Sequence, residues 1–89
     1  ANNNDRGIYL LWSSSNYISG NTLNNNDFGI NLLVSNDNII SENTANNNDY
    51  GIYLEYSNDN TGTGNILSDN GAGPYYEGPN CDGNDISYS

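Results

Sequence analysis

Apolar residues in this chain fall in short alternating sets, and the sets recur every 22 residues without a gap. In the first repeat Ile8-Tyr9-Leu10 places two aliphatic side chains on one face and a ring on the other, Tyr17-Ile18-Ser19 repeats the alternation, and Leu23 adds a third inward point. The same positions hold Ile30, Leu32, Ile40 and Ala45 in the second repeat, and Ile52, Leu54 and Leu67 in the third. A period of this length is read before any local propensity, because each unit must bury its apolar face against the next. Asn, Ser, Asp and Gly interrupt every repeat at intervals of two to five residues, which excludes helical and leucine-rich solenoids. Three short strands per repeat remain, stacked in parallel about 4.7–4.9 Å apart. The pattern predicts an all-β fold, a parallel β-helix with regular coils at 2–23, 24–45 and 46–67 and a degenerate fourth at 68–89. In the fourth, Pro74 and Tyr76 stand at the Ile and Leu positions, Gly73 continues the Gly7, Gly29, Gly51 column, and the corner 77–83 is about two residues too long, as a surface loop would be. Gly62 replaces the inward Ile of the first two coils and leaves the third underfilled.

With 21 Asn, 10 Gly and 10 Ser in 89 residues, composition alone would point to disorder. The register of the Asn residues points the other way. Asn16, Asn21 and Asn26 are spaced by five, as are Asn38, Asn43 and Asn48, and Asn60, Asn65 and Asn70, each where a short strand ends. Asn tolerates left-handed backbone angles, and its amide can bond the identical amide one coil above, so these columns are read as ladders rather than as ligands. Ser13, Ser35 and Ser57 form a polar column beside them.

The net charge is -10 and Arg6 is the single cation. Such a chain repels nucleic-acid phosphates and anionic lipid, so nucleic acid is not expected as a partner. No apolar run approaches the roughly 20 residues that cross a bilayer, so membrane insertion is not expected either. No basic, apolar leader opens the chain, which places any export signal outside it. Cys81 has no partner for an internal disulfide and is expected to be an inert thiol. The acidic excess fits a high-salt habitat.

The run Asn26-Asp27-Phe28-Gly29-Ile30-Asn31-Leu32, followed by Ser35 to Asn43, resembles the right-handed parallel β-helix repeats of the NosD-type family over residues 2–70. Those repeats are similar to the carbohydrate-binding and sugar-hydrolase (CASH-like) β-helices. The resemblance implies the fold and a secreted or surface setting, since members include periplasmic copper-maturation proteins, polysaccharide-acting enzymes and surface-layer proteins. The copper role does not carry over, because soft copper sites use Cys, Met or His and this chain offers Cys81 alone.

Asp5, Asp27 and Asp49 recur at one position and Asp37 and Asp59 at another, so carboxylates on adjacent coils stand within about 5 Å of a common column. A calcium column on Asp5, Asp27 and Asp49 is one reading; exposed Asx turns before glycine are the simpler one. Sugar hydrolysis asks for an acid and a base in different environments, or a carboxylate with a cationic helper. One Arg, no Lys and no His leave no such set, so no enzyme activity and no cofactor are expected. On the outward face Tyr9 and Tyr53 share a column, Trp12 and Tyr56 another with Val34 between, and Phe28 and Tyr50 precede the glycines. Rings so placed stack on carbohydrate or on another protein, or pair across strands. No amphipathic cap is visible at either end, and Ala1 opens in phase with Leu23, Ala45 and Leu67. The expected function is therefore a structural module of an extracellular or cell-surface assembly, stacking head to tail on copies of itself by β-augmentation or forming part of a longer solenoid. The alternatives are a polysaccharide-binding or polysaccharide-processing β-helix and a calcium-dependent adhesive module.

Overall fold

A computed structural model describes residues 2–89, so Ala1 lies outside the described residues. The chain runs through β1 (Arg6–Leu11), β2 (Tyr17–Ser19), β3 (Thr22–Asn24), β4 (Phe28–Leu33), β5 (Ile39–Ser41), β6 (Thr44–Asn46), β7 (Tyr50–Glu55), β8 (Thr61–Asn65), β9 (Gly73–Glu77) and β10 (Asp85–Tyr88). They stack as three parallel sheets in the orders β1-β4-β7-β9, β2-β5-β8-β10 and β3-β6. Ile8 lies over Ile30 and Ile30 over Ile52, with Leu10, Leu32 and Leu54 in the next inward column. The fold is a parallel β-helix of four coils, as the 22-residue period requires.

The interior is a thin aliphatic column. Ile18, Leu23, Ile30, Leu32, Ile40, Ala45, Ile52, Leu54 and Leu67 are buried, and Ile8 and Leu10 of the first coil are half-buried against them. Glycine precedes the Ile column because the strands approach there: a Cβ on Gly29 would stand 2.5 Å from the Gly51 carbonyl oxygen.

The corners are held by side-chain amides. Each inner Asn accepts the main-chain N–H of its counterpart one coil below and donates its Nδ2 to the carbonyl three residues before that counterpart. Asn21 N–H meets Asn43 Oδ1 at 3.0 Å while Asn43 Nδ2 reaches Ile18 O at 3.0 Å. Asn16, Asn38, Asn60 and Asn84 repeat the contact at 2.8, 2.9 and 2.9 Å, and Asn4, Asn26, Asn48 and Asn70 at 2.9, 2.8 and 3.0 Å. Asn43 N–H meets Asn65 Oδ1 at 3.1 Å, and Ser13, Ser35 and Ser57 do the same through their hydroxyls. Two outer columns run the opposite way: Asn46 N–H donates down to Asn24 Oδ1 at 3.2 Å, and Asn58 N–H down to Asn36 Oδ1 at 2.7 Å. Among the described residues no buried side-chain nitrogen or oxygen lacks a partner.

The fourth coil corrects the expected alignment. Ile52 pairs with Tyr75 rather than Pro74, Tyr53 with Tyr76, Leu54 with Glu77, and Tyr50 with Gly73. One extra residue enters within Gly71-Ala72-Gly73, since Asn48 still meets Asn70 while β9 is displaced by one. A second enters by Asn84, 24 residues beyond its ladder partner Asn60. Gly73 thus leaves the glycine column, and Tyr76 points outward. The space beside Gly62 is filled from above: a Cβ there would stand 3.0 Å from Ile86 Cγ2. The top of the core is closed by polar groups. Glu77, at the inward Leu54 position, accepts Tyr75 Oη–H at 3.1 Å and Asn84 Nδ2–H at 3.2 Å.

Replacing Asn43 by Ala strands the Asn21 N–H and the Ile18 carbonyl at a buried corner, so Asn43→Ala is expected to lose about 2–4 kcal/mol in urea unfolding. Asn47→Gly, at an exposed corner with φ 59°, is expected to stay within about 0.5 kcal/mol of the parent.

Candidate functional site

The sheet β1-β4-β7-β9 carries the aromatic residues on its outer face. Phe28 and Tyr50 stack with centroids 5.8 Å apart and planes 6° from parallel. Tyr53 meets both edge-on, at 4.9 and 5.1 Å, and Tyr76 packs on Tyr53 at 4.9 Å and Tyr50 at 5.5 Å. Four rings from three coils so form one patch. Arg6 closes its first-coil end, with its guanidinium 4.3 Å from the Tyr9 centroid and 5.9 Å from that of Phe28. Its Nε also donates to Asn31 Oδ1 at 2.9 Å, and Asn31 Nδ2 donates to Tyr53 O at 3.1 Å. Asn31 stands in the Tyr9–Tyr53 column and is buried beneath this cation.

Of the aromatic residues singled out in the sequence, Phe28, Tyr50 and Tyr53 come together, with Tyr9 adjoining through Arg6. Trp12 and Tyr56 belong instead to the corner at the strand ends, one on each of two coils with Val34 between. These corner residues adopt left-handed backbone angles, φ 52°, 50° and 49°, and their N–H groups donate up to Leu33 O, Glu55 O and Pro79 O. Trp12 is 75% exposed and Tyr56 45%. Left-handed angles at bulky or β-branched residues cost on the order of 1–3 kcal/mol each. The other left-handed corners hold Asn3, Asn25, Asn47 and Asp69, then Ser15, Asp37, Asp59 and Gly83, then Gly20, Glu42 and Gly64.

Two residues of this face were not singled out from the sequence. Tyr76 was assigned the inward Leu position, and the paired glycines of Gly71-Ala72-Gly73, where earlier coils have one, are the signal of the shift that turns it outward. Arg6 offered its own signal as the lone cation beside a column of rings.

Asp5, Asp27 and Asp49 are exposed at successive corners, where Phe28 N–H and Tyr50 N–H donate to the main-chain carbonyls of Asp5 and Asp27 at 2.9 and 3.0 Å. Asp37 and Asp59 are likewise exposed. Among the described residues no three His, Cys, Asp or Glu side chains converge as a metal site.

Compared with known proteins, residues 1–87 match the model of a family described as periplasmic copper-binding protein (NosD). No curated protein and no solved structure matches the chain.

Two phenols have pKa values raised above the ordinary 10.0: Tyr53 by burial and the nearby Glu55 carboxylate, and Tyr75 more strongly by burial and its bond to Glu77. A raised native pKa favours the protonated fold, so this contribution is intact below pH 10 and is lost as pH rises beyond it. In a titration followed at 295 nm, Tyr75 is expected to ionise last, with unfolding. Tyr75→Phe is expected to flatten the alkaline loss of stability.

Proposed function

Because the chain belongs to the NosD family of β-helix repeats, we propose that it is a non-catalytic structural module of a β-solenoid assembly in the periplasmic or extracellular space. The family description supports the compartment. Its copper does not fit these residues: the chain has no His and no Met, and the Cys81 Sγ is turned to Pro79 O at 3.8 Å with no second soft donor beside it.

The observation that carries the structural reading is the difference between the two end coils. In the first, Asn4, Asn16 and Asn21 turn Nδ2 back onto their own backbone, to Asn2 O, Ser14 O and Ser19 O at 3.0, 3.3 and 3.2 Å, whereas their counterparts above reach into the coil below. Asn21 Nδ2 also donates up to Asn43 Oδ1 at 3.0 Å, and Ile8 and Leu10 on this first-coil face are half-buried. The fourth coil presents Glu77 at the inward Leu54 position instead of an aliphatic side chain. Head-to-tail growth of copies would set Ile8 and Leu10 against that carboxylate, and burying it against aliphatic carbon is costly. The reading is therefore a coil array whose first-coil face fits a neighbouring coil better than does its fourth-coil face, which carries Glu77.

Fusing a copy of residues 24–45 ahead of Asn2 is expected to raise Tm by several degrees through a continued ladder, while the same segment placed after Ser89 adds nothing. Equal effects at both ends, or a loss at the first, would falsify this polarity.

A second reading, carbohydrate binding, is favoured by the four-ring patch, in which exposed Tyr76 and half-buried Tyr50 and Tyr53 offer stacking planes and hydroxyls together. Affinity electrophoresis through gels containing neutral polysaccharides tests it. Retardation of the parent, reduced about ten-fold in affinity by Tyr53→Ala or Tyr76→Ala, is expected; identical mobility with and without every polysaccharide rejects it.

A further inference from the structure

The corner formed by Trp12, Val34 and Tyr56 has no role in the ladders' side-chain bonds or in the core, and its residue types oppose its backbone. The equivalent corner of the fourth coil is Asn80, placed by the Tyr56 N–H bond to Pro79 O and by its own φ of 56°. Asn therefore fits this turn without help from a ring. Every other left-handed corner of the coil uses Asn, Asp, Ser, Gly or Glu, so bulky apolar residues here, one of them three-quarters exposed, are not explained by the fold. The outward Leu11, 44% exposed, and Leu33 widen the column into an apolar ridge along the solenoid axis.

We infer that this ridge docks an amphipathic protein segment whose apolar side chains are flanked by Lys or Arg. The charge around the ridge selects that occupant. Glu55 directly precedes Tyr56 and continues the Leu11–Leu33 column, and exposed Asp37 and Asp59 follow Val34 and Tyr56 by three residues, so the charges nearest the ridge along the chain are carboxylates, in a chain of net charge -10. A basic flank gains from those carboxylates while the apolar strip covers the ridge. A second copy would bring like charges together. A glycan would find aliphatic Leu11, Leu33 and Val34 where it needs rings and hydrogen-bonding groups. The inference is independent of coil stacking, since the ridge lies on the flank of the solenoid and not at its ends.

The probe is a short synthetic amphipathic peptide of Leu and Lys, compared with Leu/Glu and Ser/Lys peptides of equal length. Trp12 is the single tryptophan and reports directly. Its emission is expected to shift to the blue with the Leu/Lys peptide, at a lower concentration than with either comparison peptide. In the triple variant Trp12→Asn, Val34→Asn, Tyr56→Asn, affinity for fluorescently labelled Leu/Lys peptide is expected to fall about ten-fold or more, with Tm unchanged or higher. Trp12→Asn alone, at the most exposed position, gives the same reading with the least disturbance of the fold. The inference is overturned if the Leu/Lys peptide fails to bind, if either comparison peptide binds as tightly, or if the variants bind as tightly as the parent. A lower Tm in both variants also overturns it, because the ridge is then packing.

Discussion

A chain that turns three times in 22 residues keeps part of its main-chain ladder at the corners but leaves there an N–H and a carbonyl, such as those of Asn21 and Ile18, that side chains must meet. The carboxamide of Asn meets this constraint because it holds a donor and an acceptor on one short, planar group. Asn43 bonds Ile18 O and Asn21 N–H at once, supplying to the coil below the pair of contacts that a tight turn would otherwise make within itself. Glu or Asp would offer acceptors alone when ionised, and Ser, as at position 35, reaches the N–H below while returning its own proton to Leu33 and Leu10 carbonyls. The repetition of Asn is thus the consequence of one hydrogen-bonding problem met at each corner of each coil.

Once the corners are fixed at this spacing, the rest of the architecture follows by translation. Any residue recurs in its own column about 4.8 Å along the axis, whatever its chemistry. Aliphatic residues become a core no wider than two or three side chains, and rings at one outward position become a patch. The ladders also have direction, because the inner amides reach down and the outer ones receive from above, so a coil can be added only in parallel sense. Among the described residues, the register of the translation shifts at the fourth coil. There Tyr75 and Glu77 replace Ile and Leu, and the Glu77 carboxylate accepts both the Tyr75 hydroxyl and the Asn84 amide.

The coil length, the strand positions, the inward columns and the Asn ladders were legible in the sequence because each is a consequence of the period, and the period is written without a gap from Asn2 to Leu67. What the period could not carry was the fourth coil. A one-residue insertion flips every following side chain to the other face of a strand, which is why Tyr76 moved from the core to the aromatic patch and Tyr75 took the Ile position. The filling of the Gly62 space by Ile86 was within reach, because a corner two residues too long sets Asn84-Asp85-Ile86 over Asn60-Thr61-Gly62; the division of that excess between two places in the coil was not. The division of the aromatic residues between a patch and a ridge was hidden differently. Strict alternation from Ile8 and Leu10 would turn Trp12, Val34 and Tyr56 inward, and the sequence reading set them on the outer face as a second aromatic column, whereas the backbone has turned left-handed there and carries them to the corner.

That left-handed turn separates residues retained by the fold from residues retained for another reason. In most proteins an exposed ring says little, because single surface aromatics are ordinary. A repeat protein contains its own controls: the same corner, in the same geometry, is occupied by Asn80 in one coil and by Trp12, Val34 and Tyr56 in the others. Geometry held constant, the difference in side chain cannot be attributed to the turn, and the backbone preference runs against it. The corner is also where translation gathers three such residues into one continuous strip beside Asp37, Asp59 and Glu55. A fold that repeats its corners thus shows, column by column, which side chains the ladder demands and which it merely carries.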